Sequence, residues 1–535
     1  MKRAPRKGQR SRREPKPSLD AGSFNLLLAA SETALACTLI PEPNLIFAGK
    51  HTCEDPKTGL LAFGPYSKTD ATRRTEVRIG VVGPAEAIDR ALNLVERMCA
   101  AIPHSDKLDA LLHPSFPGVN DCDPFQVQFI TQPVWCRSMR PADVARVENH
   151  PEFPARIKLL IDAVAAEVDA LSKLDVPPDV VLVVMTEKLE KQCRVGIAQH
   201  DREQREATDD EDDLEDVTEQ VGGDGAEDGE EDEEEEKHAR ETEARSFRRG
   251  LKAACLDVLP TQLLWHRTLA GGRGIQDLAT LAWNLTVALL YKARIVPWRL
   301  ADVIEGACFV GISFFRPDEA DAKTLQTSVA QAFTDRGEGF VLQGKTFQWD
   351  AKKQKEKAPH LKREDAQELL ERVLKLYADQ VHGSPRRLII HKTSRFTEAE
   401  RKGFEAALGG ISEYALVTIG RRGIFSLRPG NKATLRGTAV DFGQKRGLIY
   451  TSGYVPFLRC YPGFRVPQPL EIMENWGSLP FREVAADLMR LTKLNWNTAA
   501  FNCVDPITLA FARRIGDILK MAKTDNPAMQ YRYYM

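Results

Sequence analysis

The chain has 535 residues, of which 43% are hydrophobic and 28% are charged, and this composition is typical of globular proteins with about two to four domains. Its 74 Lys and Arg residues nearly balance its 76 Asp and Glu residues, but 18 acidic residues lie within residues 209–236, so the remainder is basic and compatible with a polyanionic partner. No apolar run reaches the roughly 20 residues of a membrane-spanning helix. The cysteines are scattered and lack the CxxC spacing of zinc ribbons, and this cysteine usage favours a reducing cytoplasm.

The chain contains two segments whose composition does not suit a folded core. The first is rich in Lys, Arg and Pro, and we expect residues 1–18 to form a disordered basic tail. The second contains the acidic run, and we expect residues 205–240 to form a solvated, disordered loop. An alternative is that this acidic insert imitates a nucleic acid and covers a cationic pocket while no ligand is bound.

The first half of the chain alternates apolar runs with helical patterns. Residues 76–82 and 179–185 are continuous apolar runs of the kind that form buried parallel strands. Helices are predicted over residues 84–102, 155–174, 245–256 and 275–292. This alternation indicates an α/β layer architecture.

The second half begins with strand patterns and ends with helices. Residues 307–315 give the clearest strand, residues 339–342 and 345–349 are predicted to pair as a hairpin, and residues 387–391 give a buried strand. The further strands are predicted near residues 414–419, 423–427 and 447–450, and the helices over residues 364–378, 397–408, 481–491 and 507–520. This order suits a ribonuclease-H-like layer.

Several cationic and amide side chains fall where a phosphate site would need them. Arg248 and Lys252 are four residues apart and share one face of a predicted helix. Gln262 follows Pro260 at an expected helix start, where free backbone N–H groups favour anions, and Lys292 ends the long apolar helix. Together they could grip a terminal phosphate. The alternative is a solvated helix face and a lysine favoured by the helix dipole.

Three stretches of the chain resemble short prokaryotic Argonaute proteins, and the likeness extends from about residue 20 to residue 535. The stretches are residues 41–47 (PEPNLIF) with 55–60 (DPKTGL) and 63–65 (FGP); residues 259–262 (LPTQ) with 282–284 (AWN), 290–293 (LYKA) and 297–300 (PWRL); and residues 495–497 (NWN) with 506–509 (PITL). The resemblance implies an α/β fold with a Rossmann-like MID domain over residues 19–303. A ribonuclease-H-like PIWI domain would follow over residues 304–535, without the N and PAZ domains of longer Argonautes.

In that family the MID pocket holds the 5′-phosphate of a guide strand. The ligands matched by position are Arg248, Lys252, Gln262 and Lys292. The neighbouring Arg245 and Arg249 compete for the role of the first ligand. The family's C-terminus can tuck toward this pocket, where the carboxylate of Met535 could help to hold a Mg²⁺ ion that bridges guide phosphates; the alternative is a frayed tail. We expect no metal site built from a cluster of side chains.

The resemblance also implies that the PIWI domain does not cut its target. Active relatives hold two metal ions with carboxylates, which stabilise the attacking and leaving oxygens. Ser313 and Thr393 stand where those relatives have aspartates, and Lys392 would place a cation beside the metal site. The alternative is a guide-directed endonuclease that uses a displaced set of carboxylates.

A catalytically inactive PIWI domain would still hold a guide–target duplex across its surface. Contacts to the nucleic-acid backbone would be independent of sequence, because base pairing supplies the specificity. The candidate contact residues are His391, Lys392, Arg395, Arg421 and Arg422. For each of them the alternative is an ordinary exposed cation.

The resemblance finally implies a second polypeptide. Short Argonautes typically work with a protein that contains an APAZ region fused to a TIR, sirtuin-like or nuclease effector. The expected assembly is a cytoplasmic heterodimer that loads a 5′-phosphorylated small RNA guide, pairs it with single-stranded target DNA and switches on the effector. It could form a higher oligomer on activation, and the outcome would be antiviral defence by abortive infection. A further alternative is a scaffold that binds the effector but no guide.

Overall fold

The computed structural model of the chain describes residues 36–71, 73–194, 246–271, 276–301, 304–316, 325–334, 339–349, 358–421, 433–463, 466–522 and 530–535. The predicted basic tail, the acidic insert, the predicted strand near residues 423–427 and Arg422 lie outside these ranges. Within them, no helix is both long enough and apolar enough to cross a bilayer.

Strands and helices alternate through the first half of the chain and strands dominate much of the second. The strands are β1 (Ala36–Leu39), β2 (Leu45–Ile46), β3 (Thr52–Cys53), β4 (Glu76–Gly83), β5 (Gln128–Ser138), β6 (Val180–Val184), β7 (Thr261–Leu264), β8 (Arg299–Leu300), β9 (Ala307–Phe315), β10 (Leu325–Thr334), β11 (Gly339–Gln348), β12 (Arg387–Lys392), β13 (Glu413–Gly420), β14 (Thr438–Gly443), β15 (Arg446–Ile449) and β16 (Leu470–Gly477).

The helices cover the faces of the two larger sheets. They are α1 (Pro56–Phe63), α2 (Ala85–Met98), α3 (Pro141–Glu148), α4 (Phe153–Ser172), α5 (Glu187–Cys193), α6 (Phe247–Ala254), α7 (His266–Ala270), α8 (Leu278–Lys292), α9 (Arg363–Val381), α10 (Glu398–Ala407), α11 (Phe481–Leu491) and α12 (Ile507–Met521). Short 3₁₀ helices span Ala48–Lys50, Tyr66–Thr69 and Tyr531–Tyr533.

The first unit is a parallel sheet with the strand order β5-β4-β6-β7. Its central strands β4 and β6 are rich in Val, and every residue of β6 is buried, because helices cover both faces. Helices α4 and α6 pack on one face, and α2 and α8 pack on the other. This Rossmann-like arrangement agrees with the α/β architecture that the sequence predicts.

The second unit is a nine-stranded sheet with the order β1-β14-β15-β16-β13-β12-β9-β10-β11. Strands β9, β12 and β13 are parallel and lie at its centre, while the outer pairs are antiparallel. Because side chains alternate along a strand, odd-numbered residues such as Ile389 face α11 and α12, and even-numbered residues such as Ile390 face α9 and α10. A small sheet of β3, β2 and β8 joins two strands that precede the first unit in the chain to one that follows it.

Two local predictions are wrong. Residues 339–348 form the single strand β11, which pairs with β10, rather than a hairpin of their own. The sequence does not predict strand β10, because LQTSVAQAFT mixes small polar and apolar residues without strict alternation. Gln262 lies in the parallel strand β7 and not at a helix start, since its neighbours Thr261 and Leu263 pair with β6.

Candidate anion-binding site

The predicted phosphate ligands meet where α6, β7 and the end of α8 come together. The Lys252 ammonium donates a hydrogen bond to the backbone carbonyl of Thr261 in β7. The Lys292 ammonium, at the end of α8, donates to the Oε1 atom of Gln262. Arg248 lies one helical turn before Lys252 on α6. The four residues therefore form one cluster, which we call the cationic pocket.

The cationic pocket holds its charges away from water. Lys292 is 0% exposed and Lys252 is 4% exposed. Burial, with the nearby Arg248, lowers the pKa of Lys252 to about 7. Burial, with the nearby Lys252 and Arg248, lowers the pKa of Lys292 well below its usual range. The hydrogen-bond acceptors of both lysines are uncharged. Such a cluster is electrostatically unfavourable until an anion offsets the repulsion.

Packing fixes the direction in which α6 presents its cations. Phe247 and Leu251 are buried against the core that covers the first sheet. Between them, Gly250 lies so close to α4 that an added Cβ would stand 2.2 Å from the Ile161 Cδ1 atom and 3.1 Å from the Met521 Cε atom of α12. A larger residue at this position would have to displace the Ile161 side chain, so glycine allows the close approach. The helix is held between the two units with Arg248 and Lys252 on its remaining face.

The sequence did not reveal that Arg514 belongs to this neighbourhood. Burial, followed by the nearby Arg514 and Arg249, lowers the pKa of Arg248 to about 9. Arg514 lies on α12, in the second unit, so only the packing of α12 against α6 brings it close to the pocket. Arg249 forms an ion pair with Asp517 at 3.5 Å, whereas Arg245 lies outside the described residues. Of Arg248 and Arg249, Arg248 is thus the one placed with Lys252.

The C-terminal segment packs against the end of α8. The guanidinium of Arg532 donates to the carbonyl of Lys292 at 3.0 Å, and Met535 is 1% exposed. The frayed-tail alternative is therefore wrong. The side chains at this place do not suit a bridging Mg²⁺ ion, because ammonium and guanidinium donors repel a cation. Across the described ranges, no three His, Cys, Asp or Glu side chains group as metal ligands.

The two positions predicted to have lost catalytic aspartates, Ser313 and Thr393, carry hydroxyl groups on neighbouring parallel strands, near the end of β9 and just after β12. Gly311 of β9 pairs with His391 of β12, and Ser313 and Thr393 each follow two residues later. The Ser313 hydroxyl donates to the carbonyl of Ala512 on α12 at 2.7 Å, and Thr393 is exposed in a bend. A Cβ at Gly311 would stand 2.1 Å from the Thr508 carbonyl oxygen, so α12 lies directly on the sheet here.

Lys392 does not place its cation beside Ser313 and Thr393, which corrects the expectation from the sequence. Its side chain points to the opposite face of β12, toward α9 and α10, because side chains alternate along a strand. There its ammonium is 2.6 Å from the Glu400 Oε1 atom and 3.3 Å from His360 Nδ1. Lys392 is 1% exposed and Glu400 is 0% exposed. Its charge is already paired with the Glu400 carboxylate, so it is a structural cation and not a contact for a nucleic-acid backbone.

The other predicted backbone contacts have different outcomes. His391 is wholly buried, its Nδ1 atom lies 2.7 Å from the Thr508 hydroxyl, and burial lowers its pKa to about 3, so it is neutral and inaccessible to a duplex. Arg421 forms an ion pair with Asp505. Arg395 is exposed, as a backbone contact requires. The expectation is therefore wrong for His391 and Lys392, and it stays a prediction for Arg395, Arg421 and Arg422.

The free energy of unfolding should rise with pH between about 7 and 8.5. The pKa of Lys252 is about 7 in the folded chain, against an ordinary value of 10.5, so the unfolded chain binds more protons in this range. This stabilisation is complete above the ordinary pKa and is lost as the pH falls through about 7. Melting temperatures in a phosphate-free buffer should therefore increase across the range, which ends before free thiols ionise extensively.

Inorganic phosphate provides the complementary measurement. Because the anion favours the charged form of the lysines, it should raise the melting temperature most near pH 7 and flatten the pH dependence. Sodium chloride at matched ionic strength serves as the control. A melting temperature that is independent of pH and of phosphate would contradict the buried cluster of cations.

The arrangement of the two units is similar to that of solved Argonaute and Piwi proteins. A. aeolicus Argonaute matches with a TM-score of 0.52 at 13% identity, over 92% of this chain and 54% of that chain. Clostridium butyricum Argonaute, bound to a guide DNA with a 5′ deoxycytidine and a 19-mer target DNA, matches with a TM-score of 0.56 at 12% identity, over 94% of this chain and 55% of that chain. Drosophila Piwi matches with a TM-score of 0.51 at 12% identity, over 93% of this chain and 56% of that chain.

The fold is therefore Argonaute-like, a mixed α/β fold resembling the MID and PIWI domains, which confirms the predicted architecture at the level of the fold. The chain spans about half the length of the solved structures that it matches. No protein-family model matches the sequence, and no curated protein matches it either.

Proposed function

We propose that the chain binds the 5′-phosphorylated end of a small guide strand in the cationic pocket. The observation that carries this proposal is the cluster of Arg248, Lys252 and Lys292 beside β7, in which the two lysines are buried and donate only to uncharged acceptors, the Thr261 carbonyl and Gln262. A terminal phosphate is compact, carries up to two negative charges and accepts several hydrogen bonds, so it suits this set of donors. Arg514 of α12 adds a further cation on the side of the second unit.

The Argonaute-like fold supports the choice of a guide strand over a free phosphate metabolite. One of the solved structures with this fold is an Argonaute bound to a guide DNA and a target DNA. In this chain the cationic pocket lies at the junction of the two units, so a strand held by its 5′ end has the second sheet beside it. We propose small RNA as the guide and single-stranded DNA as the target, with base pairing supplying the specificity.

We further propose that the chain recognises its target without cutting it. Two-metal cleavage of a phosphodiester needs oxygen ligands with negative charge, and hydroxyl groups do not supply that charge. The hydroxyl of Ser313 is directed to a helix carbonyl, and Thr393 is the second hydroxyl at this place. A toxic activity would then belong to a partner protein with an APAZ region and an effector domain, joined to this chain as a heterodimer in the cytoplasm.

In this proposal the guide–target duplex acts as the ligand of a switch. Pairing with invading DNA must stabilise the active arrangement of the heterodimer more than the resting one, because only a differential interaction can shift such an equilibrium. The biological outcome would be defence of the cell through abortive infection.

The direct test compares oligonucleotides that differ only at the 5′ end. We expect the full chain to bind a 5′-phosphorylated oligonucleotide at least about tenfold more tightly than the 5′-hydroxyl form, since one hydrogen bond to a charged group contributes about 1.5–3 kcal/mol. Fluorescence anisotropy with RNA and DNA versions measures both affinities. Equal affinities for the phosphorylated and hydroxyl forms would refute the proposal.

A second experiment separates recognition from cleavage. Guide-loaded protein is incubated with a complementary labelled target in Mg²⁺ and in Mn²⁺, and we expect no product cut opposite the guide. A discrete product would favour an endonuclease with a displaced set of carboxylates. Sequencing of the nucleic acid that co-purifies tests the scaffold alternative, because small RNAs of uniform length are expected only if the chain is loaded with guides.

A further inference from the structure

A buried hydroxyl group near the cationic pocket has no assigned role. Tyr531 is 1% exposed, and among the residues that the structure describes its hydroxyl has no hydrogen-bond partner. A buried donor without a partner is destabilising, so such a group in a folded protein requires a physical explanation.

The position of Tyr531 is fixed by three aromatic rings. The centroid of its ring is 4.9 Å from that of Phe511, 5.4 Å from that of Phe333 and 6.1 Å from that of Tyr291, each time with the planes steeply inclined. Rings packed on several sides hold a side chain in one orientation. The hydroxyl therefore cannot rotate toward bulk water to form the hydrogen bond that it lacks.

Two of these three rings lie on the helices that carry cations of the site. Tyr291 immediately precedes Lys292 on α8. Phe511 lies one helical turn before Arg514 on α12, and the Arg514 guanidinium carbon is 5.2 Å from the centroid of the Phe511 ring. Tyr531 is thus wedged between the two helices that bring Lys292 and Arg514 to the junction of the units. The next residue, Arg532, holds this segment in place through the Lys292 carbonyl.

The electrostatics agree with this position. Burial and the nearby Tyr291 raise the pKa of Tyr531 well above its usual range, against the opposite influence of Arg514, so the hydroxyl remains a donor at all physiological pH values. Arg514 in turn is close enough to lower the pKa of Arg248. Arg514 thus influences both Tyr531 and Arg248, and the hydrogen bond from Arg532 to the Lys292 carbonyl places this segment at the end of α8.

We propose that the Tyr531 hydroxyl donates a hydrogen bond to the phosphate group that is held beside Arg248 and Arg514. This inference rests on the proposed function and extends the set of phosphate donors to the C-terminal segment. A neutral donor suits this place, because a further cation would add to the repulsion among the arginines and lysines, whereas a hydroxyl adds a hydrogen bond without a charge.

The test is the substitution Tyr531→Phe, which removes only the hydroxyl and keeps the packed ring. We expect the affinity for a 5′-phosphorylated oligonucleotide to fall about tenfold while the affinity for its 5′-hydroxyl form is unchanged. The melting temperature of the unliganded protein should stay the same or rise, because a buried donor without a partner is removed. The rise in melting temperature caused by inorganic phosphate should shrink.

Tyr377→Phe is the matched control, since Tyr377 is a fully buried tyrosine in the core between the second sheet and α9. It should leave both affinities unchanged. If wild-type protein prefers the phosphorylated form and Tyr531→Phe prefers it equally, the hydroxyl faces only ordered water and the inference is overturned. If the wild type shows no preference, the proposed function fails; a phosphate-induced thermal shift that still depends on Tyr531 would support an anion contact independently of a guide.

Discussion

Replacing Lys292 with methionine should reduce the affinity for a 5′-phosphorylated guide by about ten- to a hundredfold. The substitution keeps the length of the side chain but removes a buried ammonium that would form a charge-assisted hydrogen bond to the phosphate, worth about 1.5–3 kcal/mol. The affinity for the 5′-hydroxyl form should change little. Anisotropy titrations of both oligonucleotides measure the effect.

The same substitution should not destabilise the unliganded protein, although Lys292 is completely buried. Lys252 and Arg248 both disfavour its charge, so methionine removes repulsion along with the bond to Gln262. Loss of binding without loss of stability distinguishes a ligand-binding residue from a structural one. Lys173→Met, at an exposed ion pair with Asp169, is the control and should change neither property. An equal loss of affinity for both oligonucleotides would contradict the assignment.

Replacing Lys392 with methionine should have the opposite consequence and lower the free energy of unfolding by about 3–5 kcal/mol. It leaves the Glu400 carboxylate buried without its cation, and an uncompensated buried charge is strongly destabilising. Glu400 also completes the capping box of α10 by accepting the backbone N–H of Thr397, and it accepts the backbone N–H of Leu361, so its position cannot relax freely. Urea denaturation at neutral pH measures the effect.

The double variant Lys392→Met with Glu400→Gln provides the test of mechanism. It should recover part of the lost stability, because no buried charge is left alone. Lys402→Met is the control on the same helix; it breaks an exposed pair with Glu398, and such pairs contribute less than about 1 kcal/mol. If the double variant is less stable than the wild type by the full sum of both single effects, the two residues are not coupled.

The pH dependence of this pair has a definite sign. Burial alone would raise the pKa of Glu400, but the hydrogen bond with His360 and the adjacent Lys392 lower it to about 2. The contribution of the carboxylate to stability is therefore present above its ordinary pKa of 4.5 and is lost only as the pH falls through about 2.

The sequence predicts the elements of the fold best where an apolar pattern is continuous. Residues 307–315 form β9 with the predicted bounds, and residues 481–491 form α11 likewise, because burial on the sheet or on one helix face selects the residue types directly. The sequence does not predict β10, because this strand includes polar residues such as Gln331, which is 0% exposed within the sheet. Partners that are distant in sequence decide such a strand, and no local pattern records them.

The cationic pocket was predictable in part because its members lie on neighbouring elements. The four-residue spacing of Arg248 and Lys252 encodes a shared helix face, whereas Arg514 comes from the second unit and carries no local mark of its role. The prediction that His391 and Lys392 contact a nucleic-acid backbone is wrong for a related reason. Polar residues at the end of a strand suggest an exposed position, but Thr508 and Glu400 approach from opposite faces of the sheet and bury both.

Strand β1 has a consequence for how the protein is made. Ala36 pairs with Asp441 of β14, so the edge of the second sheet joins segments about 400 residues apart. At a translation rate of about 5–20 residues per second, the ribosome delivers the partner on the order of 20–80 s after β1 has emerged. Until then β1 has no partner strand. The first unit therefore folds while β1 is still unpaired.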